Sequence, residues 1–309
     1  MKRLVIDCDP GVDDAQAILM AYMHPDAHIE AITTVAGNVG LEHTTANALK
    51  ILDILQADNI PVYAGADGAL IERVPDASEI HGKDGLGDVG IPESSRKPEK
   101  EHAVNALIRL ANENPGELDL IAIGPLTNLA LATRLDPDLP KKYKSLHIMG
   151  GTIYGQGNTK NTTAEFNIYA DPDGASVVFD TWDNLTMISW ETTMHHGIPL
   201  DKLSALLDHD TSRGEFVFKI TQKVRKFLTE ILKRDTTFAA DPLAMAVALE
   251  PDIVLKSAKH YVHVERMGRA SRGMTVVDWF HYSGHEAKTN IILEVDHERF
   301  HQLLESIVK

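Results

Sequence analysis

The stretch Asp7-Cys-Asp-Pro-Gly-Val-Asp-Asp14 puts four aspartates inside eight residues, between the apolar run Leu4-Val5-Ile6 and a helical apolar pattern that runs on to Ala21. Capping and the helix dipole accommodate one or two acids at such a junction, but not four. Two carboxylates ~5 Å apart at an effective dielectric of about 20 repel by roughly 3 kcal/mol, against the ~0.3–1 kcal/mol that one gains at a helix N-terminus. A bound cation or raised pKa values must relieve that repulsion. Carboxylate oxygens select hard cations, so calcium or magnesium is the expectation.

Further oxygen ligands must come from other segments. Asp241, in Ala239-Ala-Asp-Pro-Leu-Ala244, stands at a second loop-to-helix junction, although an acid before Pro242 also reads as an N-cap. Gly124-Pro-Leu-Thr-Asn128 follows the apolar run Leu118 to Ile123. Asn38 follows Ile29 to Val35, and Ala164-Glu-Phe-Asn167 follows a glycine-rich segment. Each of these alone is a common turn or cap residue. Together with Asp9 and Thr127 they lie just past predicted strands, a ring of hydrogen-bonding groups suited to a polyhydroxylated ligand.

The elements that must position these groups alternate along the whole chain. The pattern predicts strands at Arg3 to Asp7, Ile29 to Val35, Leu118 to Ile123, Ser145 to Met149 and Leu185 to Trp190. It predicts helices at Asp13 to His24, Glu42 to Gln56, Glu101 to Asn114, Leu126 to Arg134, Asp171 to Asp180 and Glu215 to Lys233. The last fifty residues return to strands, at His260 to Val264, Met274 to Val277 and Ile291 to Val295, before a short helix. This is an α/β pattern: one domain, residues 1–309, with a mostly parallel, Rossmann-like central sheet flanked by helices. Two long segments, Val74 to Lys100 and the run GGTIYGQGNTKNTT at 150–163, read as functional loops.

Composition narrows the partners. A formal charge of −15 without a basic cluster argues against nucleic acid. No apolar run reaches the roughly 20 residues needed to span a bilayer, so no membrane partner is expected. The opening MKRLVIDCD is too poor in apolar residues for a secretory h-region, so a cytoplasmic location is expected. The single cysteine, Cys8, excludes an intramolecular disulfide and reads as a small apolar filler.

In these motifs the chain resembles the inosine-uridine preferring nucleoside hydrolase family. The carrying residues are Asp7 to Asp14, Ile32-Thr-Thr-Val-Ala-Gly-Asn38, His81-Gly-Lys-Asp-Gly-Leu-Gly87, Ile123-Gly-Pro-Leu-Thr-Asn128, Met149-Gly-Gly151, Ala164-Glu-Phe-Asn-Ile168 and Asp241-Pro242. The resemblance implies the nucleoside hydrolase fold, a nucleoside as the small-molecule partner and a Ca2+ ion at the base of the pocket. It implies Asp9, Asp14, Asp241 and the carbonyl of Thr127 as calcium ligands, with Asp9 also the general base toward a calcium-bound water. Asp13, Asn38, Asn158, Glu165 and Asn167 would hold ribose. It also implies a homodimer or homotetramer that serves nucleoside salvage.

Two departures stand out. The best-known branch carries a histidine before the aspartate matching Asp241, there thought to protonate the leaving base; here the residue is Ala240, which has no proton to give. His81, His195 and His196 are the candidates for that side, each of which also reads as an exposed or structurally bonded histidine. Asn158 stands one residue further from Glu165 than expected, so Asn158 and Asn161 compete for one ribose contact. Three functions remain open: an N-ribohydrolase, a nucleoside- or ribose-binding protein that lost turnover with the histidine, and a haloacid-dehalogenase-type phosphohydrolase suggested by Val5-Ile-Asp-Cys-Asp9.

Overall fold

The computed structural model describes residues 1–207 and 210–309. In chain order its strands are β1 (Lys2–Cys8), β2 (Ala27–Thr34), β3 (Val62–Ala64), β4 (Leu118–Ala122), β5 (Ser145–Met149) and β6 (Leu185–Ile188). There follow β7 (Ile198–Pro199), β8 (Thr236–Thr237), β9 (Val254–His260), β10 (Val262–Val264), β11 (Thr275–Val277) and β12 (Thr289–Val295). Eight of them form one sheet in the order β3-β2-β1-β4-β5-β6-β12-β9. All neighbours are parallel except β9, which runs antiparallel to β12 at the edge.

That order has a functional consequence. From β1 the chain builds outward through β2 and β3, then returns to place β4 on the other flank of β1. The loops leaving β1 and β4 therefore diverge, opening the crevice in which open α/β sheets bind ligands. Asp9 leaves β1 and Thr127 follows β4, so the acidic turn and the Gly124–Asn128 segment flank this switch point.

Side-chain alternation divides the core into two layers. Leu4, Ile6 and Cys8 pack on one face of β1, with the helices Val12–Met23, Leu41–Ile54, Ala240–Leu249 and His297–Ser306. Val5 packs on the other, with Ala103–Glu113, Thr127–Leu135 and Pro172–Thr181. The helix Ala240–Leu249 is buried along its whole length, as its nearly uninterrupted apolar sequence requires. Packed against Val12–Met23, it brings Asp241 to the acidic turn.

The expected helices and strands are present with ends shifted by one to three residues at most termini. Three differences have physical causes. The strand expected at His260 to Val264 breaks at Tyr261, because His260 ends edge strand β9 of the large sheet while Val262–Val264 pairs with β11 in a separate two-stranded sheet; the polar Lys256, Ser257 and Lys259 of β9 leave no apolar run to recognise. β3 has only three residues, too few for a periodic signal. The helix expected to reach Lys233 is regular from Ser212 to Lys226 and ends in a π-helical turn, Phe227–Ile231. Within Val74 to Lys100 there is one helical turn, Ser78–His81. Among the described residues no helix is long and apolar enough to cross a membrane.

Asn128 ties the switch point together. Its Nδ2 donates to Asp7 Oδ1 at 2.9 Å and to the Thr34 carbonyl at 3.0 Å, while its Oδ1 accepts from Ala66 N at 2.8 Å. Asp7 is fully buried on β1, also accepts from Thr33 Oγ1 at 2.5 Å, and is raised to about 7 by its burial. Asn128→Ala would take this partner from the Thr34 carbonyl and the Ala66 N–H and leave Asp7 Oδ1 with Thr33 Oγ1 alone. With each unsatisfied buried group costing about 1–3 kcal/mol, a loss of about 2–4 kcal/mol in unfolding free energy is expected, read as a lower urea midpoint at constant slope. A midpoint within error of the parent would show that the bridge is not structural.

Candidate active site

The turn after β1 folds back on itself through its own acids. Asp14 Oδ2 accepts from Gly11 N at 2.9 Å and Asp14 Oδ1 from Asp9 N at 3.2 Å, so this carboxylate closes the turn at the helix N-terminus. Asn38 braces it from β2: its backbone N–H donates to Asp9 Oδ2 at 2.7 Å, and its Nδ2 to the Asp9 carbonyl at 3.2 Å and Asp14 Oδ2 at 3.1 Å. Space around Asp9 is tight. A Cβ on Gly37 would fall 2.1 Å from Asp9 Oδ2, and one on Gly124 would fall 2.7 Å from Oδ1, so only glycine lets these two loops close on the carboxylate.

Three carboxylates converge. One oxygen each from Asp13, Asp14 and Asp241 lies within 4.8 Å of the other two, a group that can hold a metal ion. Asp13 belongs to this triad geometrically, whereas the sequence set it apart as a sugar ligand, and Asp9, expected as a metal ligand, is not among the three. Burial separates the roles again: Asp9 and Asp14 are 0% exposed and Asp241 is 3% exposed, while the Asp13 side chain is 24% exposed. The buried oxygens Asp9 Oδ1 and Asp13 Oδ1 have no hydrogen-bond partner.

The electrostatics show the cost of this arrangement. Burial first, and then the Asp14 and Asp13 charges, push Asp9 well above the usual carboxylate range. Asp14 is raised to about 7 by burial and by Asp13. Asp241 rises strongly through burial and the neighbouring charges of Asp13, Asp14, Asp9 and Glu165. Among the described residues, no lysine or arginine pairs with any of the four aspartates; the one basic group near them is His81, with Nδ1 3.8 Å from Asp13 Oδ1. Hard oxygen donors, unpartnered buried oxygens and a missing countercharge together fit a hard divalent cation.

Of the remaining expected residues, Glu165 lies within electrostatic reach of Asp241 and Asp13. Thr127 opens its helix with its hydroxyl donated to Asp171 Oδ2 at 2.7 Å. Glu165 caps the helix Phe166–Ala170, accepting from Gly151 N, Asn167 N and Ile168 N at 2.9, 2.8 and 3.2 Å; burial raises it to about 7. Asn167 Nδ2 donates to the carbonyls of Ile123 and Met149 at 3.0 and 3.1 Å, bridging the ends of β4 and β5. Asn158 is exposed on the glycine-rich segment. Asn161 is spent inside that segment: Nδ2 donates to the Arg272 carbonyl at 2.6 Å, and Oδ1 accepts from Thr159 Oγ1, Thr163 N and Ala164 N.

The histidines separate sharply. His81 Nδ1 accepts from Val12 N at 3.1 Å, which places the ring proton on Nε2, and burial lowers its pKa. His196 is withdrawn from any proton-donor role: it is 1% exposed, Nδ1 donates to the Thr192 carbonyl at 2.7 Å, and Nε2 accepts from Val295 N at 3.0 Å. His195 is exposed at the far end of the helix Trp190–His195, its ring against His196 and His297. Ala240 is buried and offers no donor beside Asp241. Sequence reasoning missed Asp171, whose support of Thr127 was hidden by an ordinary Asp-Pro helix start, and Glu191, which follows an expected strand and belongs to none of the recognised motifs.

Known proteins bear on this geometry. A family profile described as inosine-uridine preferring nucleoside hydrolase matches residues 4–302. An inosine-uridine preferring nucleoside hydrolase of Crithidia fasciculata is 35% identical over 97% of this chain and 95% of its own. The pyrimidine-specific ribonucleoside hydrolase RihA of Klebsiella pneumoniae is 35% identical over 97% of this chain and 96% of its own. A solved inosine-guanosine nucleoside hydrolase superposes with a TM-score of 0.92 at 36% identity, covering 99% of this chain and 98% of that one. A match of this extent displaces the phosphohydrolase reading of Asp7 and Asp9. The mixed α/β fold, the acidic floor at the switch point and the end-to-end likeness agree: the chain belongs to the inosine-uridine preferring nucleoside hydrolase family, N-glycosidase hydrolases of ribonucleosides.

Proposed function

We propose that this protein is a calcium-dependent N-ribohydrolase that splits the N-glycosidic bond of a ribonucleoside into ribose and free base. The observation that carries the reading is the set of buried, uncompensated carboxylates Asp9, Asp14 and Asp241 at the sheet's switch point. In this reading those three and the Thr127 carbonyl hold calcium. When bound, the ion supplies positive charge that acidifies the attacking water and cancels the repulsion among the acids.

The chain's own residues then divide the work. Asp9, with Oδ2 fixed by Asn38 N and Oδ1 free, takes the proton of the attacking water. Asp13, at the open side of the floor, accepts from the sugar hydroxyls, and Asn38, Asn158, Glu165 and Asn167 complete the ring around ribose. As the C1′–N bond lengthens, the sugar gains oxocarbenium character, and carboxylates fixed nearby stabilise that charge. Water's oxygen closes on C1′ as the C1′–N bond breaks, and the base leaves with the bonding electron pair as an anion that takes its proton from solvent, to which Asp9 returns the proton it took. In this reading His81, with its ring proton on Nε2, serves the leaving-group side; its lowered pKa suits hydrogen bonding to the base better than full proton transfer.

The relatives named above are called inosine-uridine preferring, pyrimidine-specific and inosine-guanosine enzymes. Base preference therefore does not follow from membership. Assaying reducing-sugar release from inosine, guanosine, uridine, cytidine and modified nucleosides should find at least one cleaved. If every nucleoside stays intact while calorimetry shows tight ribose or nucleoside binding, the second reading, a binding protein that lost its proton donor at Ala240, takes its place.

Asp9→Asn should lower kcat by about 10²–10⁴-fold, the span of a lost general base, with an unchanged far-UV spectrum. Turnover within a few-fold of the parent would remove Asp9 from the chemistry. Chelation should abolish activity and lower the melting temperature, and calcium at 100 times its Kd should restore about 2.7 kcal/mol of stability. Asp241→Asn should lose most of that calcium-dependent gain; a parent protein whose melting temperature ignores both chelator and calcium would contradict the metal assignment.

A further inference from the structure

The glycine-rich segment 150–163 carries Asn158 and leads into Glu165, so its shape sets two of the sugar-facing positions. It contains no helix or strand of its own. One buried carboxylate from a distant part of the chain holds it. Glu191, 9% exposed, accepts from Ile153 N at 2.9 Å through Oε2, and from Tyr154 N at 2.9 Å and Gln156 N at 3.1 Å through Oε1. Beside it, Trp190 N donates to the Gly151 carbonyl at 2.9 Å, and Gly151 N donates to Glu165 Oε2. The opposite side rests on the β10–β11 hairpin, where Thr275 Oγ1 accepts from Thr152 N at 2.6 Å and Asn161 Nδ2 reaches the Arg272 carbonyl.

A glutamate in the first turn of a helix ordinarily serves the dipole of that helix. Glu191 instead spends both oxygens on three consecutive or near-consecutive amides of another segment. Charge-assisted bonds of this kind are roughly twice as strong as neutral ones, and three on one carboxylate leave the segment little choice of conformation.

We propose that Glu191 is a positioning residue of the sugar subsite: its carboxylate fixes the backbone of residues 153–156, and thereby sets Asn158 and Glu165 toward bound ribose. The proposal rests on the ribohydrolase reading above. Glu191→Gln keeps one acceptor oxygen but turns an amide NH2 toward backbone N–H groups, so at least one of the three bonds is lost. Glu191→Asp keeps the carboxylate one methylene short.

Hydrogen exchange and steady-state kinetics on the full chain test this together. In Glu191→Gln the amides of Ile153, Tyr154 and Gln156 should exchange at least about tenfold faster while β1 and β4 keep their protection. KM should rise about tenfold with kcat within about threefold, the signature of lost uniform binding. Glu191→Asp should fall between the two, and it carries the same test if Glu191→Gln does not fold. Unchanged exchange at 153–156, or a fall in kcat at constant KM, overturns the proposal. If the parent cleaves no nucleoside, the ribohydrolase reading fails by itself. Ribose affinity by calorimetry then replaces KM: weaker binding in the variant supports the role of Glu191, and equal binding overturns it.

Discussion

Carboxylates buried together without a countercharge are the constraint on which the rest of this structure depends. Asp9, Asp14 and Asp241 lie at or near full burial, and Asp13 stands over them. Charges so placed are tolerated only if protonated, hydrogen-bonded or neutralised by an ion. The fold contributes what hydrogen bonding it can: the Gly11 and Asp9 amides satisfy Asp14, and the Asn38 amide satisfies one oxygen of Asp9. The oxygens left over are where a cation gains most, so the same burial that destabilises the empty site favours occupation.

The surrounding architecture follows from the need to hold this arrangement rigidly. Parallel strands ending at a switch point deliver several loops to one crevice, and each loop arrives with its own brace. Asn128 bridges Asp7, Thr34 and Ala66; Asn167 bridges the carbonyls at the ends of β4 and β5; Glu165 caps a helix while standing within electrostatic reach of Asp241. Residues expected to touch ligand thus also carry structural bonds. The consequence is a site whose geometry is set by backbone amides and carbonyls more than by free side chains.

Legibility in the sequence followed the range of the interaction. The aspartate-rich turn, the helices with three-to-four spacing and the inner strands are local signals, and each was readable from contiguous residues. Edge strand β9 was not, because an edge needs polar residues on its exposed side and so loses the apolar run that marks a strand. The partnership of Asp13 with Asp14 and Asp241 depends on how the buried helix Ala240–Leu249 meets Val12–Met23, across more than 200 residues of chain. His195 and His196 were indistinguishable in sequence; structure separates them because only His196 turns both nitrogens inward.

The two ends of the pocket are under different constraints. In the proposed function the sugar end has Asp9 and Asp14 fixed by backbone amides and Asn38, and a change there must disturb a charge balance distributed over four carboxylates. In the same reading the base end has Ala240, with no polar atom in its side chain, and a His81 already bound through Nδ1. Ala240 adds no charge or hydrogen bond to the floor, so that position would be free to vary without cost to it. That asymmetry is what would let one sugar-and-metal platform serve relatives named for purine, pyrimidine and mixed substrates. In the proposed function it would shift the energetic weight of catalysis toward stabilising the sugar cation, since little at position 240 could help the base to leave.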